Sequence, residues 1–450
     1  VSRFDPLKGT RDFYPETMRL RRWIEGRWRQ VAERYGFEEY DAPLLEPLDL
    51  YTEKSGSEIV GQLYAFEDKG GRRVALRPEM TPSLARMVAA RSRALALPLK
   101  WYSVPRLFRY ERPQRGRLRE FFQLNLDIVG IEGVEADAEI IAAGVAVLRA
   151  CGLGADDFLV RYSDRRLLDA VIAAFSIPDA LRPAVYVALD KFLRAGPDVV
   201  IGELEKGGVP TMTAQQLTEA IARRDLAGLQ EAIGPTGVHL APEALPLVRL
   251  EDYLDAYGVR EYCRFDAAVV RGLAYYTGVV FEMFDARGEL RALCGGGRFD
   301  DLLSAVGGEP LPAVGFGLGD AVLIELLTQH GKLPELGPRC DAYVIPVALE
   351  DRTAATAAAT RLRGEGLVVD LALKEVTVGK ALKRADQGGA RFAIVIGERE
   401  RAEGHWTLKE LASGDETSLT PEEAILRLQG AARSRLEVAE PSAPAESARA

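Results

Sequence analysis

The chain has 450 residues, 47% of them apolar, and a formal net charge of −9. This length supports roughly two to three domains with cores of their own. No apolar run of about 18 residues is present, which argues against a membrane span, and the acidic balance argues against a surface that binds nucleic acid over its whole extent.

In chain order, residues 16–36 place apolar side chains at helical spacing and end on Gly36, a helix with a glycine stop. FEEYDAPLLEP follows as a short extended run around Pro43. AFEDKGGRRVALRPEMTPSLARMVAA reads as strand, Gly-Gly turn, strand, and then a helix opened by Thr81 and Pro82. Residues 101–130 read as two strands joined by RPQRGRLR, and 136–151 as an alanine-rich helix. From 166 to 255 the segments are amphipathic and helical, and strand patterning nearly vanishes, which marks a helical insertion. Strands return with CRFDAAVV and GVVFEMFD, followed by the glycine-rich CGGGRFDDLLSAVGGEPLPAVGFGLGDAVL. Residues 326–338 suit a linker, and 339–430 alternate strand and helix, as expected for a separate α/β domain with a largely parallel sheet. The last twenty residues, 431–450, are poor in large apolar side chains and are expected to be disordered. The first residues, VSRFDPLKGTRDFYP, have no apolar segment of signal-peptide type. Four cysteines without CxxC spacing and three histidines without metal-ligand spacing point to a reducing compartment and no protein-bound metal. A cytoplasmic protein is expected.

The most unusual stretch is RLFRYERPQRGRLREFFQLNLDIVG, residues 106–130, with six arginines in its first fourteen residues. Strand side chains alternate between faces. Phe121, Gln123, Asn125 and Asp127 therefore share one face, and Leu124, Leu126 and Ile128 the other. A solvated outer face fits such a pattern. Two features favour a polyphosphate site instead: Asn and Asp are poor strand formers, and clustered arginines repel one another unless an anion is supplied. An arginine fork matches phosphate oxygens, and Phe121 offers a ring on which a base can stack.

These residues resemble a family. FRYERPQRGRLREFFQ is similar to motif 2 of class II aminoacyl-tRNA synthetases, specifically of the histidyl-tRNA synthetases. VRGLAYYTGVVFE, residues 270–282, resembles their histidine-binding signature. KGTRDFYP, LRPEMTPSLAR and GGGRFDDLL fit the same family in the same order. The resemblance spans about residues 3–425. It implies an α+β catalytic domain on an antiparallel sheet over 1–325, including the helical insertion, and a C-terminal α/β anticodon-binding domain over 339–430. It also implies ATP-dependent activation of L-histidine to histidyl-adenylate, transfer to tRNA(His), Mg2+ on the phosphates and a homodimer joined near Pro43.

Residue by residue, the resemblance implies that Arg109 and Arg271 hold the α-phosphate. Glu111 then meets the adenine edge, Phe121 stacks on the ring, and Arg117 reaches the terminal phosphates. Glu79, Thr81 and Gln123 correspond to the α-ammonium site; Tyr275 belongs to the same histidine signature, and Asp127 and Tyr276 correspond to the readers of the imidazole. Asp127 stands where glutamate is common, and Ala274 where aspartate is. Asp320, in GFGLGDAVL, occupies the expected place of the arginine that grips the γ-phosphate, so Arg298 or Arg86 is expected to substitute. Lys374, Lys380, Lys383, Arg384 and Arg391 are candidates for tRNA phosphate contacts. Two other readings stand beside this one: a non-catalytic regulatory partner of ATP phosphoribosyltransferase, which shares the catalytic fold but usually lacks the anticodon domain, and a class IIa synthetase for another amino acid.

Overall fold

A computed structural model describes residues 4–52, 57–271 and 275–438. The chain divides into two compact units, Val1–Leu333 and Pro334–Ala450.

The first unit is built on a largely antiparallel sheet of nine strands among the described residues. Its spine is the strand Glu120–Val129, which pairs with Ala313–Gly319 on one side and with Leu99–Ser103 and Arg106–Phe108 on the other. The stretch expected as one strand ahead of the arginine loop is thus two short strands, interrupted at Val104 and Pro105, as a residue lacking the ladder N–H requires. Beyond Ala313–Gly319 come Cys294–Arg298, Val279–Asp285 and Phe158–Asp164, all antiparallel. Short parallel partners, Glu38–Glu39 and Cys263–Phe265, close the two edges.

Alternation decides what each face of this sheet meets. Leu124, Leu126 and Ile128 are at most 1% exposed and pack in one cluster with Trp28 of the helix Pro15–Arg34 and Ile141 and Val145 of the helix Val134–Ala150. Each such side chain contributes about 1.5–3 kcal/mol on burial. A buried ion pair fastens sheet to helix: Arg298 Nη2 donates to Asp137 Oδ2 at 2.5 Å and to the Gly133 carbonyl at 2.9 Å. Seven helices, from Arg165–Ala174 to Ala241–Ala256, fill the segment between the strands Phe158–Asp164 and Cys263–Phe265. With one face covered by helices, the face bearing Phe121, Gln123 and Asn125 is left to line a cavity.

The second unit carries a five-stranded sheet in the order Val369–Leu371, Cys340–Pro346, Ala390–Ile396, Trp406–Glu410, Glu416–Leu419. The first three are parallel, as strand–helix alternation requires, and the last two add an antiparallel hairpin, so the sheet is mixed. Val344, Ile394, Leu362 and Leu428 form its core with the helices Arg352–Gly364 and Pro421–Val438. That last helix extends through 431–438, which were expected to be disordered; 439–450 lie outside the described residues. Likewise 326–329, expected as linker, complete the helix Asp320–Gln329.

Candidate active site

The cavity over the catalytic sheet has a volume of about 200 Å3. Its floor is glycine. Gly315, Gly317 and Gly319 alternate along one central strand, opposite Asp127, Asn125 and Gln123, and Gly295 lies opposite Gly317 on the next. A methyl group at Gly317 would stand 2.6 Å from Gln123 Cδ, and one at Gly297 would stand 2.8 Å from Tyr276 Cδ1. The bare backbone therefore lets Gln123 and Tyr276 lie flat across the sheet, and it leaves room for a planar ligand.

Two arginines from distant segments line this one cavity. Arg109, just beyond the strand Arg106–Phe108, is held by Nε donating to the Pro78 carbonyl at 2.9 Å, with its guanidinium 5.4 Å from the Phe121 ring centroid. Arg271 has φ 59°, a left-handed conformation uncommon for a side-chain-bearing residue, and is ion-paired with Glu282 on the cavity floor. Burial works to lower its pKa, but Glu282 and Tyr276 outweigh that, and it stays charged. The Arg271 Nε is buried and finds no partner among the described residues. A strained backbone that holds a guanidinium in place with an unmet donor suits an anion site.

The arginine hairpin folds over one side. Glu111 is buried and paired with Arg117, and both line the cavity. The N-terminal KGTRDFYP segment braces this loop, with the Gly9 carbonyl accepting from Arg119 N at 2.8 Å. Gly9 has φ 89°, and a Cβ there would stand 2.9 Å from both Arg119 Cγ and Pro113 Cγ, so only glycine fits. Arg115 is taken up by Glu325, with Nε 2.7 Å from Oε1.

Tyr275, in the same cavity, donates to Glu79 Oε2 at 3.2 Å, and its ring centroid lies 5.0 Å from that of Tyr276. Burial, reinforced by the Glu79 charge, pushes the Tyr275 hydroxyl well above the usual phenol range. Tyr276 is raised by burial and pulled back by Arg271. Both phenols therefore stay protonated as hydrogen-bond donors. Glu79, only 4% exposed, lines the cavity with Thr81 and Gln123.

Three expectations need correction. Asp127 does not line the cavity: it is 3% exposed, its carboxyl lies over Gly315, and burial pushes its pKa up to about 8. Asn125, two residues earlier on the same face, lines the cavity instead. Asp320 does not occupy an arginine's place in the cavity wall. It is turned to the opposite side, where Oδ2 accepts from Arg11 at 2.7 Å and Oδ1 from Phe122 N at 3.0 Å; burial raises its pKa against the pull of Arg11. The residues of that helix that line the cavity are Ala321 and Val322. Neither proposed substitute lines it: Arg298 is locked to Asp137, and Arg86 donates to Glu46 Oε1 at 2.6 Å. Ala274 lies outside the described residues. Glu282, Arg291 and the glycine floor went unassigned in the sequence, although strand parity across CGGGR and GFGLG carried the signal for the floor.

In the second unit, Lys380, Lys383 and Arg384 are exposed on the helix Val378–Gln387, opposite its buried Ala381 and Ala385. Lys374 is exposed, whereas Arg391 donates to the Ala431 carbonyl at 2.8 Å.

A cavity floored by glycine on an antiparallel sheet, with arginines from two segments and a separate α/β unit later in the chain, is the architecture of a class II aminoacyl-tRNA synthetase. The histidyl-tRNA synthetase family model matches residues 9–321, and an anticodon binding domain matches 341–430. The chain belongs to the histidyl-tRNA synthetase family. It is 43% identical to a chloroplastic/mitochondrial histidine–tRNA ligase of Arabidopsis thaliana over 92% of this chain and 84% of that protein. It is also 43% identical to a histidine–tRNA ligase of Opitutus terrae, over 94% and 97%. A crystal structure of histidyl-tRNA synthetase from a Nostoc species superposes with a TM-score of 0.80 at 25% identity, covering 96% of this chain and all of that one.

Proposed function

We infer that the chain activates L-histidine with ATP and transfers it to the 3′ end of tRNA(His). The observation that carries this is that Arg109 and Arg271 line one cavity together with Glu79 and two tyrosines. In the first step the histidine carboxylate attacks the α-phosphorus, the bond to the bridging oxygen breaks, and pyrophosphate leaves. Negative charge gathers on the phosphoryl oxygens, where two guanidinium groups stabilise it. Phe121 supports the adenine, Glu111 meets its edge, and Arg117 turns from Glu111 toward the terminal phosphates.

Glu79, Thr81 and Gln123 surround the α-ammonium. Tyr276 donates to an imidazole nitrogen. A site that hydrogen-bonds a polar ring atom rejects amino acids that lack it. Mg2+ is usually held by phosphates, waters and one or two carboxylates. Glu282, beside Arg271, offers such a carboxylate, and no cage of three or more acidic, His or Cys side chains occurs among the described residues.

The basic face of the helix Val378–Gln387 is read as a tRNA phosphate contact. A homodimer is supported by Leu44, Leu45 and Phe66, exposed at 42%, 45% and 49% around the sheet of Leu45–Pro47, Arg73–Leu76 and Tyr64–Glu67. A cytoplasmic setting accords with four buried free thiols. No described helix is long and apolar enough to cross a membrane. The regulatory alternative is not favoured, because the anticodon-binding domain is present and the cavity keeps its arginines and tyrosines. ATP–pyrophosphate exchange tests the reading: exchange should depend on histidine, whereas a regulator would show none and another synthetase would respond to a different amino acid.

A further inference from the structure

The start of the helix Asp320–Gln329 presents Ala321 and Val322 to the cavity, and this wall offers no cation to the β- and γ-phosphates of a triphosphate seated on Arg109 and Arg271. Two segments meet this wall. Gly116 of the arginine hairpin approaches Val322, since a Cβ there would stand 3.1 Å from Val322 Cγ2, and this brings in Arg117. From the other segment, the Leu293 carbonyl accepts from Gly319 N at 3.3 Å, and Arg291, two residues earlier, lines the same cavity. Arg291 lies in the connection between the strands Val279–Asp285 and Cys294–Arg298 and is exposed.

We propose that Arg291 joins Arg117 in gripping the pyrophosphate end of ATP, supplying from the strand connection a cation that the helix start lacks. This rests on the ligase reading above. As the bond between the α-phosphorus and the α,β-bridging oxygen breaks, its electron pair departs on pyrophosphate. A guanidinium at that end binds the ground-state phosphates and stabilises the leaving group. A long side chain at the rim can also release the product, which a buried cation would retain.

The test is histidine-dependent ATP–pyrophosphate exchange by the full chain and its R291A and R291K variants, paired with single-turnover transfer from preformed histidyl-adenylate to tRNA. Loss of one charge-assisted contact should raise the KM for both ATP and pyrophosphate roughly tenfold or more in R291A, with partial recovery in R291K. The histidine KM and the transfer rate should stay within about twofold of the parent, because pyrophosphate has left before transfer. If the parent chain exchanges normally but R291A keeps its KM for ATP and pyrophosphate, the proposal fails and the ligase reading stands. Equal damage to transfer would show a merely structural role and would also overturn it. An absence of exchange by the parent chain would overturn the ligase reading itself.

Discussion

Substitution of Gly317 by alanine isolates the role of the bare floor. The added methyl would stand 2.6–2.8 Å from Gln123 Cδ, Nε2 and Oε1. Ordinary contact needs about 3.5–4.0 Å, so the Gln123 amide must retreat by roughly 1 Å. The atoms that move are the end of a flexible side chain, so the fold should survive with little change in Tm. On the proposed reading, however, the α-ammonium of histidine would lose a hydrogen-bond partner. Contacts to charged groups contribute about 1.5–3 kcal/mol, which predicts a rise in the histidine KM of roughly ten- to a hundredfold. Gly296 is the control. It points to the other face, where a Cβ would stand 2.5 Å from the Gly315 carbonyl oxygen and 2.6 Å from Phe281 Cζ. Overpacking there should cost about 1–3 kcal/mol and lower Tm by several degrees. Histidine titrations in the exchange assay, with melting curves, separate the two. A Gly317→Ala variant with an unchanged histidine KM, or one as thermally damaged as Gly296→Ala, would refute the reasoning.

Three further outcomes are expected. Because burial raises the Asp127 pKa to about 8, the folded state holds that proton more tightly than the unfolded chain, so its stability falls as pH rises from about 4 through about 8. Asp127→Asn should therefore raise Tm relative to the parent increasingly up to about pH 8 and level off above it; a pH-independent difference in Tm would contradict the assigned burial. Asp320→Arg should not restore a phosphate contact, since position 320 faces Arg11; it should destabilise the chain by placing like charges together and orphaning Phe122 N, and an improved ATP KM would contradict this geometry. Arg109→Ala should slow adenylate formation by roughly 10²–10³-fold while preserving Tm, as loss of one transition-state donor does; an unchanged single-turnover rate would remove Arg109 from the chemistry.

The architecture was legible where a pattern repeats. Alternation in EFFQLNLDIV assigned the faces of the central strand, and the motif order implied a catalytic unit followed by an anticodon-binding one. Depth was harder to read: parity placed Asp127 on the correct face but could not tell that its neighbours would bury it. Junctions were harder still. Asp320 is the first residue of a helix directly after a strand, where the direction of a side chain follows from neither period, and it turned away from the cavity. Arg298 and Arg86 were misjudged because the partners that occupy them, Asp137 and Glu46, are remote in the chain. Arg291 sits in an unpatterned connection, so only the fold reveals it as a wall residue. The hairpin that makes the second sheet mixed, Trp406–Glu410 with Glu416–Leu419, follows the strand–helix alternation and breaks its logic.

The most direct measurement is a crystal structure of the chain with a non-reactive histidyl-adenylate analogue. Guanidinium nitrogens of both Arg109 and Arg271 should lie about 3 Å from oxygens of the single phosphate, with the imidazole against Tyr276. An analogue whose phosphate touches only one of the two arginines, or which binds elsewhere on the chain, would contradict the account.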